Sequence, residues 1–116
     1  MPRLPQDPMA ELVLCAVEQV PPGCVISYGE IADLVGTSAR RVGTIMGSFG
    51  GEVPWWRVTN AQGQLPGRLL PLARKRWDLE GIGWDERGCK IRAHRADLDQ
   101  LDADFRYALL GDVKGR

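Results

Sequence analysis

The stretch SYGEIADLVG, Ser27 to Gly36, joined directly to TSARRVGTIM, Thr37 to Met46, decides how this chain is read. Ser27 with Glu30 three residues later is a capping box: the hydroxyl takes the backbone N–H of the third helical residue and the carboxylate reaches back to the cap. Ile31, Leu34 and Val35 then fall on one face of a short helix, and Gly36 supplies the left-handed stop. Either Thr37 or Ser38 caps the next helix. Ala39, Val42, Ile45 and Met46 recur at helical spacing, which leaves Arg40, Arg41 and Thr44 on the outer face. Two short helices across a tight glycine turn, the second with arginines outward, have the form of a helix-turn-helix that presents a helix to DNA.

Upstream of this pair, Asp7 as cap and Pro8 in the first turn start a helix whose Leu12, Val13, Ala16, Val17 and Val20 face inward, and Pro21-Pro22-Gly23 ends it. Downstream, Arg57-Val58-Thr59 and NAQGQ read as a strand and turn, and ARKRWDLEG as a helix. WDERGCKIRA reads as a small hairpin, a candidate wing, and DLDQLDADFRYALL as helix or tail. A chain of 116 residues has the size of one compact core. The expected fold is a single domain over 1–116, mainly α with a small β hairpin, of winged helix-turn-helix type.

Composition removes several function classes. With 44% hydrophobic and 26% charged residues the chain is ordinary globular material, without an apolar run long enough for a membrane span. MPRLPQDPMAELVL lacks the basic flank, apolar stretch and small-residue site of a leader, so a cytoplasmic location is expected. Cys15, Cys24 and Cys89 have no C-x-x-C spacing, and no metal or cofactor is expected. Zero net charge argues against a nucleic-acid binder, but the average conceals a division. Residues 1–36 carry Arg3 against Asp7, Glu11, Glu18, Glu30 and Asp33, whereas residues 37–76 carry seven Arg or Lys against Glu52 alone. The middle of the chain is a candidate polyanion-binding face, while Asp97, Asp99, Asp102 and Asp104 form an acidic run near the end.

VPWWRV, Val53 to Val58, sets two of the four tryptophans side by side, and adjacent indoles cannot both face one core. Together with PPGCVISYGEIADLVG, SARRVGTIM, RKRW and EGI, this motif makes residues 21–83 resemble the DNA-binding domain of the O6-alkylguanine-DNA alkyltransferases. That family's active-site motif is Pro-Cys-His-Arg-Val, whose cysteine accepts the alkyl group. Trp55 and Trp56 stand where the cysteine and histidine would be. The chain is therefore closer to the alkyltransferase-like proteins, which keep the domain and transfer nothing; most of them retain the histidine that is lost here. An indole is neither a nucleophile nor a base at neutral pH, and His94, the only imidazole, has no cysteine beside it.

The resemblance implies roles for particular residues. Tyr28 presses on the phosphate next to the target nucleotide and rotates it out of the stack. Arg40 enters the duplex through the minor groove and fills the vacated space, and Arg41 meets phosphate. Gly43, without a side chain, allows close approach of the helix to the sugar-phosphate chain. Trp55, with Trp56 beside it, offers an aromatic face to the extruded base. Pro54 fixes the entry to the turn, Arg57 holds it through backbone carbonyls, and Arg68 lies at the pocket as a cation–π partner for the base. LPGRLLPL replaces the family's Tyr-Ser-Gly-Gly-Leu, so the wall bounding the alkyl group is remodelled. The implied ligand is duplex DNA containing O6-alkylguanine, bound by a monomer. The implied partner is the damage-recognition ATPase of nucleotide excision repair; the acidic run itself reads as a solvated tail, with a docking surface as the alternative. A winged-helix regulator of transcription accounts for the helix pair and charge but not for Pro-Trp-Trp-Arg-Val. An active alkyltransferase would need Cys24 or Cys89 as acceptor.

Overall fold

The computed structural model describes residues 7–114; residues 1–6, part of the stretch expected to hold no leader, lie outside them. Asp7 is extended at φ −84° and ψ 116°, and its carboxylate accepts the Met9 N–H at 2.9 Å, so α1 runs Pro8–Glu18. The capping box of α2 (Tyr28–Val35) forms in both directions: Ser27 Oγ accepts from Glu30 N at 3.2 Å and Glu30 Oε1 from Ser27 N at 3.1 Å. Gly36 stops the helix at φ 85°. Of the two candidate caps for α3 (Ala39–Phe49), Ser38 is the one used, its Oγ accepting the Arg41 N–H at 3.1 Å. The helix runs one turn past Met46 to Phe49, which continues the apolar face and packs against the core. Val13 and Val17 of α1, Ile31 of α2, and Val42 and Ile45 of α3 close one buried cluster.

The strand read at Val58-Thr59 is present, but its partner lies far upstream. β1 (Ile26–Ser27) and β2 (Val58–Thr59), far apart in the chain, pair in parallel with Ile26 opposite Val58 and Ser27 opposite Thr59. On the other side Val25 takes part in a bridge to Arg95, donating its N–H to the His94 carbonyl at 2.8 Å and accepting from Ala96 N at 3.0 Å. The expected hairpin at 84–93 is reduced to one antiparallel bridge, Trp84 to Cys89, around the turn Asp85–Gly88. The ladder stops there for a packing reason. Ile91 is buried beside Val25, Trp77 and Cys89, and the chain turns helical as α5 (Ile91–His94) to place it. The small hairpin is thus present as a single bridge around a turn.

α4 (Leu70–Glu80) starts three residues before the expected ARKRWDLEG helix and ends at Gly81, φ 73°. It buries Ala73 and Trp77 in a second cluster with Val25, Ile82, Cys89 and Ile91. Trp77 is fully buried and donates its indole N–H to the Trp56 carbonyl at 2.8 Å. Truncation of so large a core side chain costs about 3–5 kcal/mol. The acidic segment is a helix, α6 (Leu98–Lys114), that seats Leu101 and Phe105 in the first cluster. Among the described residues no helix is long and apolar enough to cross a membrane.

Two turns lock back to back beside this core. Asn60 Oδ1 accepts from Gln62 N at 3.0 Å and Gln64 N at 2.8 Å, which shapes the first turn around Gly63. Gly63 lies at φ 79°, and a Cβ there would stand 2.1 Å from the Cys89 carbonyl oxygen; one at Gly88 would stand 2.1 Å from the Gly63 oxygen. Only glycine allows this approach.

Candidate nucleic-acid interface

The parallel pairing of β1 and β2 brings Tyr28, at the end of β1, against the loop that precedes β2. Between them lies a cleft of about 200 Å³ lined by Tyr28, Gly43, Met46, Gly47, Gly50, Gly51, Trp55, Leu65, Pro66, Arg68 and Leu69. One wall is glycine backbone at Gly43, Gly47, Gly50 and Gly51 with Met46 among them, the opposite wall is apolar, and Trp55 and Arg68 border it. Tyr28 is half-buried, and burial pushes its phenol above the ordinary range, so it stays protonated. Of the residues singled out by sequence, Tyr28, Gly43, Trp55 and Arg68 are assembled here. Met46, Gly47, Gly50, Gly51, Leu65, Pro66 and Leu69 were missed.

The adjacent indoles part company. Pro54 (φ −71°, ψ 71°) turns the chain into the 3₁₀ turn Trp55–Arg57, and the two rings stand edge to face at 87°, centroids 5.7 Å apart. Trp55 faces the cleft. Trp56 turns away, donating its N–H to Glu80 Oε2 at 2.9 Å with the Arg76 and Arg57 guanidiniums 4.7 and 5.3 Å from its ring centroid. Arg57 does bond to a backbone carbonyl, Val20 O at 3.0 Å from Nη1, but its main partner is Glu80: Nε lies 3.0 and 3.2 Å from the two oxygens and Nη2 2.6 Å from Oε2. Gly23 N adds a bond to Oε1 at 3.0 Å. Glu80 therefore ties the end of α1, the pocket loop and α4 together. Burial works against its ionisation, but the bonds from Arg57, Gly23 and Trp56 outweigh burial and hold the carboxyl below its usual range. Nothing local in the sequence distinguishes Glu80, whose partners are all distant.

On α3, Arg40 is exposed, and among the described residues it makes no ion pair. Arg41 does: it is joined to Asp7, the cap of α1, with both side chains partly exposed. A pair of this kind is worth about 0–1 kcal/mol and exchanges readily for another anion. A Cβ at Gly43 or Gly47 would meet nothing within 4 Å, so neither glycine is required by helix packing. Both lie inside a helix, where glycine costs up to about 1 kcal/mol relative to alanine, and their common face borders the cleft. The i, i+4 spacing of these glycines was the available sequence signal for Gly47.

The family model of the 6-O-methylguanine DNA methyltransferase DNA-binding domain matches residues 8–82. The chain belongs to this family. Within it, a DNA base-flipping protein of Vibrio parahaemolyticus is 39% identical over 82 residues, covering 66% of this chain and 82% of the relative. The solved structure of Atl1 from Schizosaccharomyces pombe, in complex with damaged DNA containing O6-carboxymethylguanine, superposes with a TM-score of 0.69 at 30% identity, over 81% of this chain and 99% of that one. The O6-methylguanine methyltransferase of Mycobacterium tuberculosis superposes with a TM-score of 0.59 at 34% identity, over 67% of this chain and 51% of that one.

Set in this family, the chain's nucleophile inventory is short. Among the described residues no cysteine lines the cleft. Cys89 is buried, and burial raises its thiol to about 11, so it is protonated at neutral pH. Cys15 and Cys24 pack against the first core cluster. His94, the single histidine, accepts the Gly83 N–H on Nε2 at 3.0 Å, away from the cleft.

Proposed function

We propose that the protein is a non-enzymatic sensor of DNA damage: it binds O6-alkylguanine in duplex DNA, takes the base out of the stack into the cleft beside Trp55, and marks the site for nucleotide excision repair. The observation that carries this reading is an aromatic cleft in a family of DNA-binding domains with Trp55 and Trp56 in place of Pro-Cys-His-Arg-Val's cysteine and histidine. Without a thiolate there is no acceptor for the alkyl group.

Extruding a base costs a few kcal/mol, least for a lesion whose pairing is already weak. Stacking on Trp55 returns about 1–3 kcal/mol, and a cation–π contact from Arg68 adds about 0.5–2 kcal/mol. Tyr28 presses on the flanking phosphate, Arg40 fills the gap in the duplex, and Arg41 leaves Asp7 for a phosphate. Gly43 lets the α3 backbone approach the DNA. Pro54 sets the turn, and Trp56 and Arg57 hold Trp55 in place through Glu80, so Trp56 supports the pocket rather than stacking on the base. The protein acts as one DNA-binding domain and as a monomer, and the partner that receives the marked site is the damage-recognition ATPase of excision repair. A single methyl on guanine contributes only about 1–3 kcal/mol of contact, so discrimination against normal guanine is moderate for methyl.

The test is a titration of duplexes with and without one O6-methylguanine, monitored through tryptophan fluorescence, with the intact mass of the recovered protein. Lesion preference without mass gain, lost in Arg40→Ala and Tyr28→Ala, is the expected result. Equal binding to both duplexes favours a regulator of the winged-helix class, and a gain of one methyl makes the protein an enzyme.

A further inference from the structure

The cations of this protein divide by what they touch. Arg41, Arg57, Arg95 and Arg106 pair with carboxylates, and Arg74 and Arg76 lie over the rings of Trp84 and Trp56. Arg40, Arg68, Lys75, Arg87, Lys90 and Arg92 make neither an ion pair nor a ring contact among the described residues. Apart from Lys75 on α4, they follow on from the pocket. Arg68 borders the pocket and Arg40 lies one turn before Gly43 on α3. Arg87 lines a shallow cleft with Tyr28, Gly43 and Gln64, which adjoins the pocket through shared residues. Past Gln64, Arg87 also lines an open groove of about 540 Å³ with Lys90 and Arg92.

We propose that Arg87, Lys90 and Arg92 form a second phosphate-binding track, which carries the duplex backbone onward from the pocket. All three are exposed; the one carboxylate lining their groove, Asp85, accepts the Arg87 N–H at 2.8 Å and the Gly88 N–H at 3.3 Å in its own turn and also lies within electrostatic reach of Arg87 and Lys90, so three cations face one anion in the groove. The track is also held rigidly. The turn that bears Arg87 meets the turn at 60–64 with Gly63 and Gly88 in backbone contact, and Cys89 donates its N–H to the Gly63 oxygen at 2.9 Å. Its residues lie outside the 8–82 matched by the family model, so the contact extends the footprint beyond the family domain. The inference rests on the DNA-binding reading proposed for the cleft.

Counterion release supplies the test, because each phosphate contact adds about 0.9 to the steepness with which log affinity falls against log salt. In the full chain, Arg87→Gln, Lys90→Gln and Arg92→Gln together are expected to make that slope shallower by about two to three and to weaken lesion and undamaged duplexes by the same factor, at least about tenfold at low salt. The lesion preference ratio stays as in the parent protein. A charge-keeping variant, Arg87→Lys with Arg92→Lys, should retain the parent slope. An unchanged slope in the Gln variant overturns the track and leaves the sensor reading intact; it is also the outcome if the patch serves an acidic protein. Loss of slope in the Lys variant equal to that of the Gln variant overturns it as well. Equal binding of the parent protein to both duplexes refutes the lesion sensor, while the slopes still decide the track.

Discussion

Alanine at Gly43 and Gly47 should stabilise the protein and weaken its hold on DNA. Both positions are interior to α3 and have helical backbone, and a Cβ at either meets nothing within 4 Å. Replacing each glycine removes unfolded-state freedom and gains about 0.5–1 kcal/mol, so the pair gains about 1–2 kcal/mol. In a domain of this size that raises the melting midpoint by roughly 4–8 °C. The opposite sign is expected on DNA. If the α3 backbone lies against the sugar-phosphate chain, each added methyl acts like an overpacked core atom and costs about 1–3 kcal/mol, which is roughly five- to hundredfold in affinity for the lesion duplex. Thermal denaturation and fluorescence titration on the same samples read the two effects separately. A destabilised variant would show that the space is not open; a stabilised variant with parental affinity would show that this helix face does not approach DNA. Gly50→Ala is the control, because its Cβ would come within 3.2 Å of the Met46 methyl and gains nothing.

Glu80→Gln leaves the Arg57 guanidinium, whose side chain is only 13% exposed, with the Val20 carbonyl and a neutral amide, and the loss should be about 2–4 kcal/mol in denaturant unfolding. Because the folded-state pKa of Glu80 lies below its ordinary 4.5, its contribution is complete above that pH and is lost as pH falls through the lower folded value; the variant should show a flatter stability profile below pH 4.5, and parallel profiles would exclude Glu80 as the cause. With its thiol raised to about 11, Cys89 is thiolate in roughly one in ten thousand molecules at neutral pH, so iodoacetamide should label it only after unfolding; rapid native labelling contradicts the burial. The double variant Trp55→Cys, Trp56→His places a thiol on the cleft wall and an imidazole where the ring N–H at position 56 already reaches Glu80, and it should gain one methyl from O6-methylguanine duplex; no mass gain would mean that the remodelled 65–72 loop, and not the missing thiol alone, prevents transfer.

The helix pair was legible because its signals are local. A capping box needs only Ser27 and Glu30, a stop needs only Gly36, and a buried face needs only the spacing of Val42 and Ile45. VPWWRV likewise pointed to the family, since a motif is a matter of residue type. The length of the hairpin at 84–93 was not legible, because alternation and a turn look alike whether the next residues continue a ladder or, like Ile91, are drawn into a core. The direction of Trp56 was beyond the sequence. Trp56 turns from the cleft because Glu80, on another helix, takes its N–H, and Trp55 is left to line it. Residue types and their spacing thus determined that two helices form, which face is basic and that no thiol stands at the motif. Only the parallel pairing of Ile26 with Val58, a contact between distant segments that no periodicity encodes, decided that Tyr28, Gly43, Trp55 and Arg68 share one cleft.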